Sequence, residues 1–149
     1  MPLSSIAVAL DGEKPSLYAL EEAVELAKRA AARLTLVTVV PIVVGGYGVE
    51  MPSSGSPAEA ELEGRRMLDH ERERIEAQGL RDLKTVLLDG DPVDQVVSYC
   101  EREGVDLLVV GSRGLSGAGR FFLGSVSDGI LHHAHCSVLV VKSPGVPHR

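Results

Sequence analysis

The sequence predicts an α/β fold, an open five-stranded parallel sheet with helices on both faces. Three observations carry this. Five short runs, 6–10, 34–40, 83–88, 105–110 and 137–141, are predominantly apolar, as strands buried on both faces are. Four segments between them carry apolar residues at spacings of three and four, the period of a helix lying on a sheet. The resulting order, β-α-β-α-β-α-β-α-β, calls for parallel strands joined by crossover helices. With 149 residues the chain has the size of one domain, residues 1–149. A chain of that size buries about 70% of its unfolded surface and needs no disulfide or metal to fold.

Each element has its own signal. Ile6-Ala7-Val8-Ala9-Leu10 is a buried strand stopped by Asp11-Gly12. Leu17, Leu20, Val24, Ala27 and Ala31 form one face of a helix. Leu34 to Val40 is a second strand, rich in β-branched residues. From Pro41 to Pro57 the composition turns to Gly, Pro and Ser, and a loop longer than about 12–15 residues is usually functional or disordered. Ala58 to Gln78 reads as a charged helix with a thin apolar stripe, Ala60, Met67, Leu68 and Ile75, and Glu71-Arg72-Glu73-Arg74 reads as its solvated face.

Leu83 to Leu88 is the third strand. Asp91 is a candidate N-cap, with Pro92 at the first helical position. That helix turns Val93, Val96, Val97 and Cys100 inward and ends at Gly104. Val105 to Val110 is the fourth strand, and a Gly-rich loop runs from Gly111 to Leu123. A helix starting near Gly124-Ser125 presents Val126, Ile130, Leu131 and Ala134. Ser137 to Val141 is the fifth strand, and the Pro- and Gly-containing tail after Lys142 is expected to fray.

Composition excludes several functions. The net charge is −6, with no Trp and 3% aromatic residues, so neither a basic nucleic-acid face nor a base-stacking platform is present. The most apolar stretch, Leu34 to Val44, is broken by Pro41 and falls far short of the roughly 18–20 residues of a membrane span. Cys100 and Cys136 have no metal-ligand spacing and read as small buried hydrophobes. The N-terminus has no signal-peptide pattern, and the expected compartment is the cytoplasm.

Chemistry is expected where open parallel sheets place it, at the carboxyl ends of the strands beside a reversal of strand order. Asp11 follows the first strand. Gly111-Ser112-Arg113-Gly114-Leu115-Ser116-Gly117-Ala118-Gly119-Arg120 follows the fourth and leads to Gly124-Ser125 at a helix start. Glycines admit close approach of backbone N–H groups to an anion, and a helix N-terminus adds free donors and a positive dipole end. Ser125 adds a hydroxyl, and Arg113 and Arg120 add positive charge. Together they point to a bound phosphate chain. The loop is not a Walker A sequence, because Ser125 stands where Lys is needed, and the dinucleotide fingerprint is missing after the first strand. Read singly, Asp11 is also a turn or cap residue, Ser125 a plain N-cap, and the arginines solvated loop residues.

The spacing Gly111-x2-Gly114-x9-Gly124-Ser125 resembles the G-x2-G-x9-G-(S/T) motif of the universal stress protein family. Asp106 to Gly114, Leu123 to Ser127, Cys136 to Val141, Val8 to Gly12 and Gly90-Asp91-Pro92 resemble the family's sequence as well, so the likeness covers almost the whole chain. It implies a Rossmann-like adenine-nucleotide-binding fold of strand order 3-2-1-4-5, with the reversal between strands one and four. It implies ATP as ligand, with Mg²⁺ or Mn²⁺. Ala9, Asp11 and the backbone around Val39 would hold adenine and ribose. Val110 and Gly111 would line the nucleoside, Arg113 and Gly114 would flank the phosphates, and Gly124, Ser125, Val126 and Ser127 would donate to them.

Two departures stand out. Where the family often has Ser after Asp-Gly, this chain has Glu13, a carboxylate that would repel a triphosphate unless a cation intervenes, with Ser16 as the replacement hydroxyl. The family's usual Pro after Cys136 is Ser137. His132 and His135 share a helix face, but histidines in a last turn suit the helix dipole and have no further ligand at metal spacing. Tyr47 reads as a loop aromatic. No nucleophile elbow and no lysine or paired carboxylates at strand ends suggest catalysis. The expected function is an ATP-binding regulatory module with slow or no hydrolysis. The alternatives are an ATP hydrolase or nucleotidyl-transfer enzyme, and a nucleotide-free interaction module. In the implied order the fifth strand is an edge. Val138, Leu139, Val140 and Val141 carry no charge or Pro to block pairing, so a homodimer through that strand is expected.

Overall fold

The computed structural model describes residues 2–40, 56–112 and 124–144. Its elements are β1 (Ser5–Ala9), α1 (Lys14–Ala30), β2 (Arg33–Val40), α2 (Pro57–Ala77), β3 (Leu83–Asp89), α3 (Pro92–Glu103), β4 (Leu107–Gly111), α4 (Ser125–His133) and β5 (Ser137–Val141). The sheet order is β3-β2-β1-β4-β5 and every pairing is parallel. Val8 sits at the centre, opposite Leu36 on one side and Val109 on the other.

The period of two along β1 decides which core each residue joins. Ile6 and Val8 face one layer, with Leu20 and Val24 of α1 and Leu68 and Ile75 of α2. Ala7 faces the other, with Val96, Tyr99 and Cys100 of α3 and Ile130 of α4. Both faces of the sheet are therefore covered, as continuous apolar strands require.

The boundaries follow local chemistry. Asp91 caps α3, its carboxylate accepting from the Asp94 N–H at 3.0 Å, and Pro92 opens the helix. Gly104 closes it in the left-handed region, at φ 66°. Val105 belongs to that closure and not to β4, because its N–H donates to the Cys100 carbonyl at 3.0 Å. Asp106 then ties β4 to the start of β1, accepting from the N–H groups of Ser4 and Ser5 and the Ser4 hydroxyl, contacts that hold its carboxyl below the usual range. α2 begins at Pro57, one residue early, with the Ser56 side chain as its cap.

Three expectations need correction. Val126 and Leu131 are exposed; α4 buries Ile130 as expected, and turns Ser127 inward beside it. The helix starts at Ser125, and three-residue spacing from Ser127 to Ile130 selects that face. Glu71 is buried rather than solvated, because Arg74 pairs with it at 2.8 Å and with Glu21 of α1 at 2.7 Å, clamping the two helices together. Cys100 and Cys136, remote in sequence, meet beneath α3, where burial pushes the Cys100 thiol up to about 12. Cys136 is only half-buried, so the small-buried-hydrophobe reading holds for Cys100 alone. Among the described residues no helix is long and apolar enough to cross a membrane.

Candidate functional site

A cavity of about 630 Å³ opens at the carboxyl ends of β1, β2 and β4, within the range usual for small-molecule sites. It lies where the chain order reverses, since β1 pairs with β2 on one side and β4 on the other.

The β1–α1 turn forms its floor. Asp11 Oδ1 accepts from the Glu13 N–H and the Ser16 hydroxyl, both at 2.8 Å, and the Asp11 N–H donates to Ser16 Oγ at 3.2 Å. Asp11 is thus a turn residue whose other oxygen, Oδ2, stays outside these bonds. Gly12 takes φ 82°, which favours glycine, and lies against the Met67 sulfur of α2. Ser16 is buried with its hydroxyl committed to Asp11 and the Glu13 carbonyl, so it is not a spare phosphate donor. Glu13 is exposed at the N-cap of α1 and is not among the lining residues.

The wall opposite is the start of α4. Gly124 is its N-cap, with φ −62° and ψ 159° and no side-chain cap. The first helical bond runs from the Asp128 N–H to the Gly124 carbonyl at 2.9 Å. The N–H groups of Ser125, Val126 and Ser127 therefore have no acceptor within the helix. Gly124, Val126 and Ser127 line the cavity, while Ser125 is exposed and does not. The Ser127 hydroxyl donates to the Gly111 carbonyl, tying α4 to the end of β4. That bond uses its proton, so Ser127 offers a ligand its backbone N–H. His132, in the last turn of α4, sets Nδ1 at 2.8 Å from the Asp128 carbonyl.

Of the residues expected to bind, Ala9, Asp11, Val39, Val110 and Gly111 also line the cavity. Arg113, Gly114 and Arg120 lie outside the described residues, as does Tyr47. A third wall was not anticipated. Ala60, Glu63, Gly64 and Met67 of α2 face the cavity, as do Thr38 and Val40 of β2. The signal for it was a glycine inside a charged helix, which costs about 1 kcal/mol against Ala and implies a packing reason. Here a Cβ on Gly64 would come to 2.9 Å from Leu87 of β3, so glycine lets α2 lie close to the sheet. Among the described lining residues the charged groups are Asp11 and Glu63, both acidic.

The sequence model of the universal stress protein family matches residues 3–142. The chain belongs to the universal stress protein family. A universal stress protein of Methanocaldococcus jannaschii, MJ0531, is 34% identical over 93% of this chain and 82% of its own length. A solved member of the universal stress protein family from Burkholderia pseudomallei shares 30% identity at a TM-score of 0.73, covering 95% of this chain and 97% of that one. A universal stress protein in complex with cAMP shares 26% identity at a TM-score of 0.72, covering 95% and 98%.

Proposed function

We propose that this universal stress protein binds ATP in the cavity between β1 and β4 and acts as a nucleotide-dependent regulatory module. The observation that carries the reading is the N-terminus of α4, whose first three backbone N–H groups have no acceptor among the described residues, opening on a cavity at the strand-order reversal. Phosphates would take the N–H groups of Ser125, Val126 and Ser127 and that of Gly124 before them, and, as the resemblance implies, Arg113 and Gly114 would flank the phosphates. Ala9, Asp11, Val39, Val110 and Gly111 would hold the nucleoside. The cAMP complex of the relative supports an adenine nucleotide in this fold.

Asp11 Oδ2, left out of the β1–α1 turn, is a suitable ligand for Mg²⁺ or Mn²⁺ arriving with a triphosphate. The cation would also offset the acidic lining. Among the described residues the lining offers backbone donors and two carboxylates, which fits binding with slow or no hydrolysis better than turnover. The reading places the protein in the cytoplasm, where ATP is present and Cys100 and Cys136 stay reduced. The test is calorimetric titration with ATP, ADP, AMP and cAMP, with and without Mg²⁺. Tightest binding of ATP, strengthened by Mg²⁺, is expected; no binding of any adenine nucleotide would remove the proposal.

We also propose a homodimer through β5. That strand is the sheet edge, and Val138, Leu139, Val140 and Val141 are only half-buried. The Val141 carbonyl accepts from the Ser112 N–H at 3.0 Å, so Val141 turns its backbone toward β4. By alternation Val138 and Val140 turn theirs to the free edge. Val140→Pro therefore removes an outward N–H and spares the β4–β5 ladder. Light scattering is expected to show a wild-type dimer and a folded Val140→Pro monomer. A wild-type monomer at micromolar concentration would refute the pairing.

A further inference from the structure

The cavity has two unlike ends. At the β4–α4 end are the backbone N–H groups of Ser125, Val126 and Ser127, which have no acceptor among the described residues. At the β2–α2 end are Ala60, Gly64 and Met67, spaced at four and three residues on one face of α2, with Thr38 and Val40 beneath them. Among the described residues, the hydroxyls at that end are already engaged. The Thr38 hydroxyl donates to the Leu10 carbonyl at 2.6 Å, and the Ser56 cap accepts the Glu59 N–H. Glu63 adds a carboxylate to the same wall, and Glu59 stands in the first turn. The carboxylates of Glu59 and Glu63 repel an anion at α2, whereas α4 offers backbone donors and a positive dipole end and contributes no carboxylate to the described lining.

From β2 to β4 there are two interstrand steps, about 10 Å in all. One extended ligand can span both ends, with an apolar, planar group at α2 and a charged group at α4. Ala60 and Gly64 leave room for a flat ring, and the Met67 thioether, held against Gly12, offers the polarisable contact that aromatic rings favour. We infer that this face of α2 is a wall of the base pocket and selects which base the site accepts. The inference rests on the nucleotide reading above and adds α2 to it.

Ala60 is exposed on α2, so a larger side chain there projects into the cavity and not into the core. The experiment is calorimetry on wild type, Ala60→Trp and Ala60→Gln with two separate probes, adenosine and inorganic tripolyphosphate. Circular dichroism confirms that each variant folds. Filling the slot is expected to weaken adenosine by about tenfold or more in Ala60→Trp, and by less in Ala60→Gln. Tripolyphosphate affinity is expected to stay within about twofold in both, since its donors lie at the far end. Unchanged adenosine affinity in Ala60→Trp, or equal weakening of both probes, would overturn the assignment. Wild-type protein that takes up neither probe would remove the nucleotide reading itself, and this inference with it.

Discussion

Gly124→Asp is expected to abolish ATP binding while leaving the protein at least as stable as wild type. The two effects have one cause. Gly124 is the N-cap of α4 and carries no side chain, so the N–H groups of the first turn have no acceptor among the described residues. Aspartate is among the strongest N-cap residues, and its carboxylate would accept the N–H of Val126 or Ser127. The helix gains about 0.5–1 kcal/mol from that bond and from a negative charge at its positive end. A phosphate arriving at the same place meets a fixed like charge and finds its donors taken. Each charge-assisted bond lost is worth about 1.5–3 kcal/mol, so affinity should fall by about two orders of magnitude or more. Glycine is not needed for its conformational freedom here, since φ is −62°, open to any residue. Thermal denaturation and ATP titration on the same sample check both halves. Retained ATP affinity in a folded variant would remove α4 from the site.

Gly111→Ala should instead unfold or severely destabilise the protein. A methyl group on Gly111 would overlap the backbone carbonyl of Pro15 and come to 3.0 Å from the Ser16 nitrogen. These are backbone atoms of the first turn of α1, with no rotamer to change. Relief requires α1 to move away from β4, and with it the buried face of Ala19, Leu20 and Ala23. Overpacking of this kind costs about 1–3 kcal/mol and more where backbone must shift, a large part of the stability of a domain of this size. Urea denaturation with circular dichroism should show the midpoint falling sharply. A midpoint within experimental error of wild type would mean that α1 is free to slide on the sheet. The contrast with Gly124 is chemical. One glycine of the motif leaves donors open for a ligand, and the other lets a helix lie against a strand.

Much was legible in the chain itself. Strand and helix periods, together with the Asp91-Pro92 start and the Gly104 stop of α3, are local signals, and local signals survive translation into structure. The placement of Asp11 and Gly111 at one site followed from a rule about parallel sheets, given the strand order that the family resemblance implied. What the sequence could not carry were relations between distant elements. Ser16 looks like a free hydroxyl until the β1–α1 turn folds and spends it on Asp11. Ser127 reads as a donor through hydroxyl and backbone alike until its hydroxyl reaches back to the Gly111 carbonyl and leaves only the backbone N–H. Glu71 sits in a run of charges, and only the approach of α1 buries it under Arg74.

The sequence by itself determined the α/β alternation, the burial of both sheet faces and the family motif, because each depends on residue type at short spacing. The tertiary structure decided the third wall of the cavity. Ala60, Gly64 and Met67 lie about fifty residues from β1, and nothing in their own spacing distinguishes a face turned to a cavity from one turned to solvent. Only the packing of α2 on β2 and β3, made close by Gly64, brings them over the site.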